Sequence, residues 1–206
     1  RSIAWSCAEP EVATEVRCGI LGYGGAFNMG RGHAGWIDEQ PGMRTVAMCD
    51  RDPARVEVAK EELPHLEGYY TEVDDLLAHE GLDLVVVILP HNLHATFALR
   101  CLEAGKHVIL EKPMCITVDE ANSLVGAARE RGLMLSVFHN RRWDGDYLTI
   151  REIIARGLIG DVFHIEAGIG GYSHPGFWWR SNKAISGGVL YDWGAHFVDW
   201  LLNLVP

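Results

Sequence analysis

Val16-Arg17-Cys18-Gly19-Ile20-Leu21-Gly22-Tyr23-Gly24-Gly25-Ala26 decides the fold of this chain. A short, mostly apolar run enters a glycine cluster and leads on into a helical segment, which is the pattern of a buried parallel strand turning tightly into a helix. In that setting glycines let the backbone turn and approach a pyrophosphate, whose charge meets the amide groups at the helix start. The setting carries more than the letters, because a glycine cluster alone is an ordinary tight turn. A strict G-x-G-x-x-G would place its third glycine at position 27, where Phe27 stands, and Gly30 comes three residues late. The close packing of helix on strand must therefore be arranged differently. Gly22, Gly24, Gly25, Ala26 and Phe27 are the candidate cofactor contacts of this loop.

Outward from the loop, strand-like and helix-like segments alternate. Strands are expected at 44–49, 82–89, 107–110 and 133–138, with helices at 53–62, 74–79 and 118–131. The runs VVVIL and HVIL do not alternate with polar residues, as expected of strands covered on both faces by helices. The fold class is therefore α/β, a Rossmann-type doubly wound parallel sheet rather than a sandwich. Beyond residue 139 the pattern changes to a helix at 147–156, a strand at 161–168, a Gly/Pro/Trp-rich loop and a helix at 187–203. The expected division is a leader at 1–15, a dinucleotide-binding Rossmann domain at 16–140 and a partial α+β substrate or oligomerisation domain at 141–206. With 206 residues, the chain has room for one full core and part of a second.

A formal net charge of −10 repels phosphate backbones and anionic lipid, and no Lys/Arg cluster reverses it locally. Nucleic acid and membrane are not expected partners. No apolar run approaches the ~20 residues that span a bilayer, and the first residues lack a secretory pattern. Cys7, Cys18, Cys49, Cys101 and Cys115 are odd in number and lack metal-ligand spacing, so they read as buried thiols in a reducing compartment. A cytoplasmic location is the resulting expectation.

Open α/β sheets bind ligands beyond the carboxyl ends of their strands, and several candidates stand there. Asp50 ends the strand at 44–49, 26 positions after Gly24, somewhat beyond the ~20 residues usual for a carboxylate that holds the adenosine ribose. Its ordinary reading is a residue at the start of the helix ahead of Pro53. A carboxylate there disfavours a 2′-phosphate, yet Arg51 and Arg55 lie close enough in sequence to neutralise one. NAD is the expected cofactor, with NADP admitted. Pro90, His91, Asn92 and His94 close the strand at 82–89 and are candidate cofactor contacts. Glu111 and Lys112 close the strand at 107–110, and Pro113 holds Lys112 extended. An amine beside a nicotinamide can be desolvated until it exchanges a proton at neutral pH, although a solvated loop is the commonest fate of a lysine. Asp192, His196 and Asp199 share one helix face. The same spacing also describes the wet side of an amphipathic helix whose dry side carries Leu190, Trp193, Phe197, Trp200 and Leu204. No third ligand joins Asp192 and His196 at a metal-binding spacing, and no metal is expected.

Gly22-x-Gly24, Glu111-Lys112-Pro113 and Asp192-x-Gly194-x-His196, in that order between about residues 16 and 204, resemble the Gfo/Idh/MocA oxidoreductase family. The resemblance implies NAD(P)-dependent hydride transfer to or from a secondary hydroxyl or carbonyl of a sugar, inositol or related polyol. It places Lys112, Asp192 and His196 at the reacting centre, with either His196 or Lys112 taking the hydroxyl proton and Asp192 orienting the substrate. It also turns Trp179 and Arg180 of Phe177-Trp178-Trp179-Arg180 toward the substrate, although Trp178 and Trp179 read equally well as plugs in a domain interface. A homo-oligomer built on the outer face of the second domain is a further implication. That second domain is a mostly antiparallel sheet in the family, and only one of its strands is expected here. A truncated product with an exposed apolar face follows from this reading. Two alternatives stay open: an NAD-dependent glycoside-cleaving enzyme that borrows and returns the hydride, and a non-catalytic dinucleotide-binding module.

Overall fold

The computed structural model describes residues 15–204 except 26, 173 and 175. Ala26 and all of the expected leader but Glu15 lie outside the described residues. The chain divides after Leu84 into two compact units.

The first unit contains β1 (Val16–Leu21), α1 (Met29–Asp38), β2 (Met43–Cys49), α2 (Pro53–Glu62), β3 (Gly68–Tyr70) and α3 (Val73–Leu77). β1 runs parallel to β2 from Val16 opposite Met43 to Leu21 opposite Cys49, with an irregularity between Cys18 and Gly19. β2 runs parallel to β3 from Ala47 opposite Gly68 to Cys49 opposite Tyr70. Consecutive residues Val46, Ala47 and Met48 are fully buried, so both faces of β2 are covered, as a parallel strand requires. α2 starts where its sequence says it should, with the Asp52 carboxylate accepting from the Ala54 amide at 2.9 Å and Pro53 in the first turn. β3 escapes a sequence reading because so short a strand, opening on a glycine, shows no periodicity.

The second unit is built from β4 (Leu84–Val87), which enters it from the end of the first, α4 (His94–Glu103), β5 (His107–Leu110), α5 (Val118–Arg131), β6 (Leu135–Val137), α6 (Gly145–Ala155), α7 (Lys183–Ser186) and α8 (Val189–Leu204). The Glu111 amide bonds the Val87 carbonyl at 3.0 Å, and β5 pairs parallel to β6 from Val108 opposite Leu135 to Leu110 opposite Val137. The strand order of the six-stranded sheet is β3-β2-β1-β4-β5-β6, that of a doubly wound nucleotide-binding sheet. α5 keeps both its expected ends. Thr117 and Glu120 form a reciprocal capping box, and Gly132 in the left-handed region closes the helix.

Two expectations for the C-terminal part are corrected. Residues 161–168 form no strand. They are mostly exposed, with Phe163 98 % exposed, and an apolar alternation without a ladder partner gives its amides and carbonyls nothing to bond. α8 forms close to the expected range, but not as an amphipathic helix with its polar side wet. Its buried residues are Gly194, His196 and Asp199, whereas Leu190 and Leu202 are 72 % and 70 % exposed. Of the cysteines, Cys18, Cys49 and Cys101 are buried thiols, Cys115 is only half-buried, and Cys7 lies outside the described residues. Among the described residues no helix is long and apolar enough to cross a membrane.

Candidate functional site

At the end of β1 the backbone of Gly22 takes a φ of 102° while its amide bonds the Cys49 carbonyl at 2.8 Å, a conformation that favours glycine. The missing third glycine is supplied by Gly30. A Cβ there would stand 2.7 Å from Tyr23 Cδ2 and 2.9 Å from the Gly22 carbonyl oxygen, so α1 approaches the strand end as closely as the motif requires, one turn later than its usual spacing. Among the described residues a Cβ on Gly24 would meet nothing within 4 Å. Packing does not demand that glycine; its effect is to leave the loop backbone open, which fits close approach by a pyrophosphate. Gly25 differs, since its Cβ would lie 2.9 Å from Nη1 of Arg55. Asp50 is turned toward the backbone: one oxygen accepts from the Tyr23 amide at 2.7 Å and the other from the Asp52 amide at 2.9 Å. Arg51 and Phe27 are exposed.

In the second unit, the carboxyl end of β4 leads to Pro90 and a 3-10 turn at His91–Leu93. His91 Nδ1 contacts the Ser186 carbonyl at 2.7 Å. A carbonyl only accepts, so Nδ1 carries the proton and Nε2 is left with a bare lone pair; Nε2 is buried and without a partner among the described residues. The ring meets Trp179 edge-on at 4.8 Å, and burial first of all pushes its pKa down to about 4. His94 has a different task from the ligand contact expected of it. It is completely buried, and its two nitrogens face the carbonyls of Pro113 at 2.6 Å and Leu89 at 2.7 Å. Burial lowers its pKa; a neutral ring donates once, so one contact carries the hydrogen bond, and the ring ties two loops together with no face left for a ligand. Asn92 is exposed, and Glu111 is half-buried with a carboxylate oxygen 3.2 Å from the Lys112 amide.

Lys112, at the carboxyl end of β5, reaches Asp192 in the first turn of α8. Nζ and Oδ1 are 2.5 Å apart across 80 positions of sequence. The other carboxylate oxygen lies 3.5 Å from Nη1 of Arg180, whose guanidinium sits 5.1 Å from the Trp179 ring centre. Burial pushes the Asp192 carboxyl up, but the Lys112 hydrogen bond and charge, with Arg180 behind them, outweigh it and hold the group below the usual carboxylate range. One turn further along α8, His196 is 4 % exposed, with Nδ1 buried and unpartnered among the described residues. Burial and then the positive charge of Lys112 push its pKa down to about 4, so the ring is neutral at pH 7. Asp199 leaves this group for a clamp, its two oxygens gripped by Arg142 at 2.7 and 2.5 Å. The structure thus brings together Lys112, Asp192 and Arg180, joins His91 to Trp179, and commits Asp199 to holding α8. Among the described residues no group of three or more His, Cys, Asp or Glu is arranged around a metal site.

His139 is the residue that sequence reasoning missed. It follows β6, its ring centre lies 6.4 Å from that of His196, and its Nδ1 is buried without a partner among the described residues. The rule that singled out Lys112, a polar residue beyond the carboxyl end of a strand, points equally to it.

Residues 16–139 match the family described as "Oxidoreductase family, NAD-binding Rossmann fold", and residues 147–206 match the "GFO/IDH/MocA C-terminal domain". The chain is 35 % identical over 191 residues to scyllo-inositol 2-dehydrogenase (NADP(+)) of Bacillus subtilis, covering 92 % of this chain and 51 % of that protein. It is 30 % identical over 160 residues to a glycosyl hydrolase family 109 protein of Shewanella pealeana, covering 74 % and 34 %. The crystal structure of an NAD-binding protein from Listeria innocua superposes with a TM-score of 0.79 at 33 % identity, over 93 % of this chain and 55 % of that one. The chain spans about half the length of the curated relatives with which it aligns over most of its own length.

Proposed function

We propose, from the premise that this chain belongs to the Gfo/Idh/MocA oxidoreductase family, that it supports hydride transfer between a nicotinamide dinucleotide and a secondary hydroxyl or carbonyl of an inositol, sugar or related polyol. Part of this proposal is a dinucleotide-binding segment at 16–140 followed by a partial substrate segment at 141–206. The observation that carries it is the contact between Lys112 and Asp192, which joins the two most particular motifs of the sequence into one charged pair. The open backbone at Gly24 fits the dinucleotide, and when bound the nicotinamide supplies the hydride acceptor or donor. The chain's own residues supply the rest. Lys112 exchanges the proton of the substrate oxygen, and Asp192 fixes the position and charge of Nζ. His196, neutral and unpartnered at Nδ1, offers a second polar atom to a hydroxyl. Trp179 presents an apolar face of the kind that packs on sugar rings, and Arg180 steadies Asp192 from the other side.

The test is turnover of nicotinamide absorbance with scyllo-inositol and a panel of aldoses, after cofactor binding has been measured by calorimetry. A polyol-dependent change that drops by roughly 10²- to 10⁴-fold in Lys112→Ala supports the reading. Cofactor binding without turnover of any polyol leaves a dinucleotide-binding module and overturns the catalytic part. A second reading, glycoside cleavage with a returned hydride, is favoured by the similarity to the Shewanella protein; release of an aryl aglycone without accumulation of reduced cofactor would mark it.

A further inference from the structure

We propose that Tyr23 is the positioning residue of the glycine loop: its hydroxyl, latched onto Glu62 at the far end of α2, holds the loop backbone in the shape that receives the diphosphate. The inference rests on the dinucleotide reading above and concerns how the loop is kept ready for its ligand. Three observations in the first unit carry it. First, between β1 and α1 the described residues Gly24, Gly25, Phe27 and Asn28 are exposed, and a glycine has no side chain with which to fix its own backbone. Of the described side chains in this segment only that of Tyr23 is buried, at 2 % exposure, and α1 closes over its ring at Gly30. Second, every polar group of Tyr23 is engaged. Its amide donates to Asp50 Oδ2 at 2.7 Å, its carbonyl accepts from Arg55 Nε at 2.9 Å, and its hydroxyl donates to Glu62 Oε2 at 2.7 Å across 39 positions of sequence. Burial and the Glu62 carboxylate push the phenol pKa up, so the hydroxyl stays a donor at neutral pH. Third, Glu62 is the last residue of α2, where the free carbonyls of the helix disfavour a carboxylate and a lysine would suit the position better on local grounds. The carboxylate is held there by the Tyr23 hydroxyl and by Nη1 of Arg31 on α1 at 3.3 Å. It therefore joins the loop, α1 and α2 at one point, and a loop fixed in this way need not be ordered when the ligand binds.

Equilibrium titrations with NADH, NADPH and ADP, which carries the diphosphate without the nicotinamide, test this beside the thermal melt of each variant. Tyr23→Phe removes the hydroxyl and keeps the ring. It is expected to weaken ADP and the preferred dinucleotide alike, by about tenfold, because the loop must then be ordered on binding. Glu62→Ala should weaken both by the same factor, and Glu62→Gln, which still offers an oxygen, by less. The double variant Tyr23→Phe, Glu62→Ala should bind no more weakly than either single one, since both remove the same contact. Tyr69→Phe is the structural control: it deletes a hydroxyl that donates to the Leu63 carbonyl at 2.6 Å in the same unit, and it should lower the melting temperature without changing affinity. The proposal is overturned if Tyr23→Phe binds as tightly as the parent, if the two losses add in the double variant, or if Tyr69→Phe weakens binding as much. Failure of the parent chain to bind any of the three ligands would overturn the dinucleotide reading itself, and the latch proposal with it.

Discussion

His91 and His196 show what burial does to an imidazole that has no acidic partner in contact among the described residues: both are pushed to about 4, with loss of hydration as the leading cause. In the unfolded chain each titrates near the ordinary histidine value, so between about pH 6.5 and 4 the unfolded state binds more protons than the folded one. Stability therefore rises with pH across that window and is lost as the solution is acidified through it, by up to a few kcal/mol per histidine as an order of magnitude. Urea unfolding midpoints at pH 7 and pH 5 should differ in that direction, and His91→Gln should shrink the difference; an equal midpoint at both values would mean the rings are hydrated or paired. Asp192 and Asp199 have linkage of the same sign in a more acidic window, although there it is the charged form that the fold favours. Their folded pKa values lie below the ordinary one, so their contribution is present above the unfolded value and disappears as pH falls through the folded one.

Among the elements, α1 and α8 depend on single residues whose importance is steric or electrostatic rather than compositional. Gly30→Ala would place a methyl group 2.7 Å from Tyr23 Cδ2 and 2.9 Å from the Gly22 carbonyl, so that α1 or the loop backbone must shift to admit it. A cost of about 1–3 kcal/mol is expected, together with weakened NAD(P)H binding, whereas Gly35→Ala on the same helix, where a Cβ meets nothing, should be neutral or stabilising in thermal melts. α8 is held by the fork of Arg142 on Asp199, whose side chain is only 10 % exposed. Arg142→Ala leaves that carboxylate buried without its partner and should cost about 1–3 kcal/mol, measured by the urea midpoint at pH 7.

For the whole molecule the informative feature is apolar surface. Val189, Leu190, Val198, Leu201 and Leu202 on α8 are all exposed, as are Phe163, Tyr172 and Phe177 before it. Soluble folds seldom leave that much apolar side chain on one stretch of chain. The chain should therefore bind a hydrophobic dye such as ANS in its native state, and Leu190→Lys with Leu202→Lys should reduce the fluorescence without lowering the melting temperature. An absence of dye binding would show that these side chains are covered in solution.

The sequence by itself determined the parallel sheet, the glycine loop and the position of Lys112, because these rest on local causes: continuous apolar runs, a strand-to-helix turn that tolerates positive φ, and a polar residue at the carboxyl end of a strand. It located the helices α2 and α5 for the same reason, whereas their caps, the Asp52 carboxylate and the Thr117–Glu120 box, came from the structure. Only the tertiary structure decided which side of α8 is buried, that Gly30 does the work of the absent third glycine, that His94 is a clamp, and that residues 161–168 form no strand. Each of these depends on a neighbour far along the chain or on the lack of one. Hydrophobic periodicity reports what a helix could bury, whereas the partners of Asp192 and Asp199, which lie 80 and 57 positions away, determine what it does bury. Where charged groups find counter-charges, the polar face turns inward and the leucines remain outside.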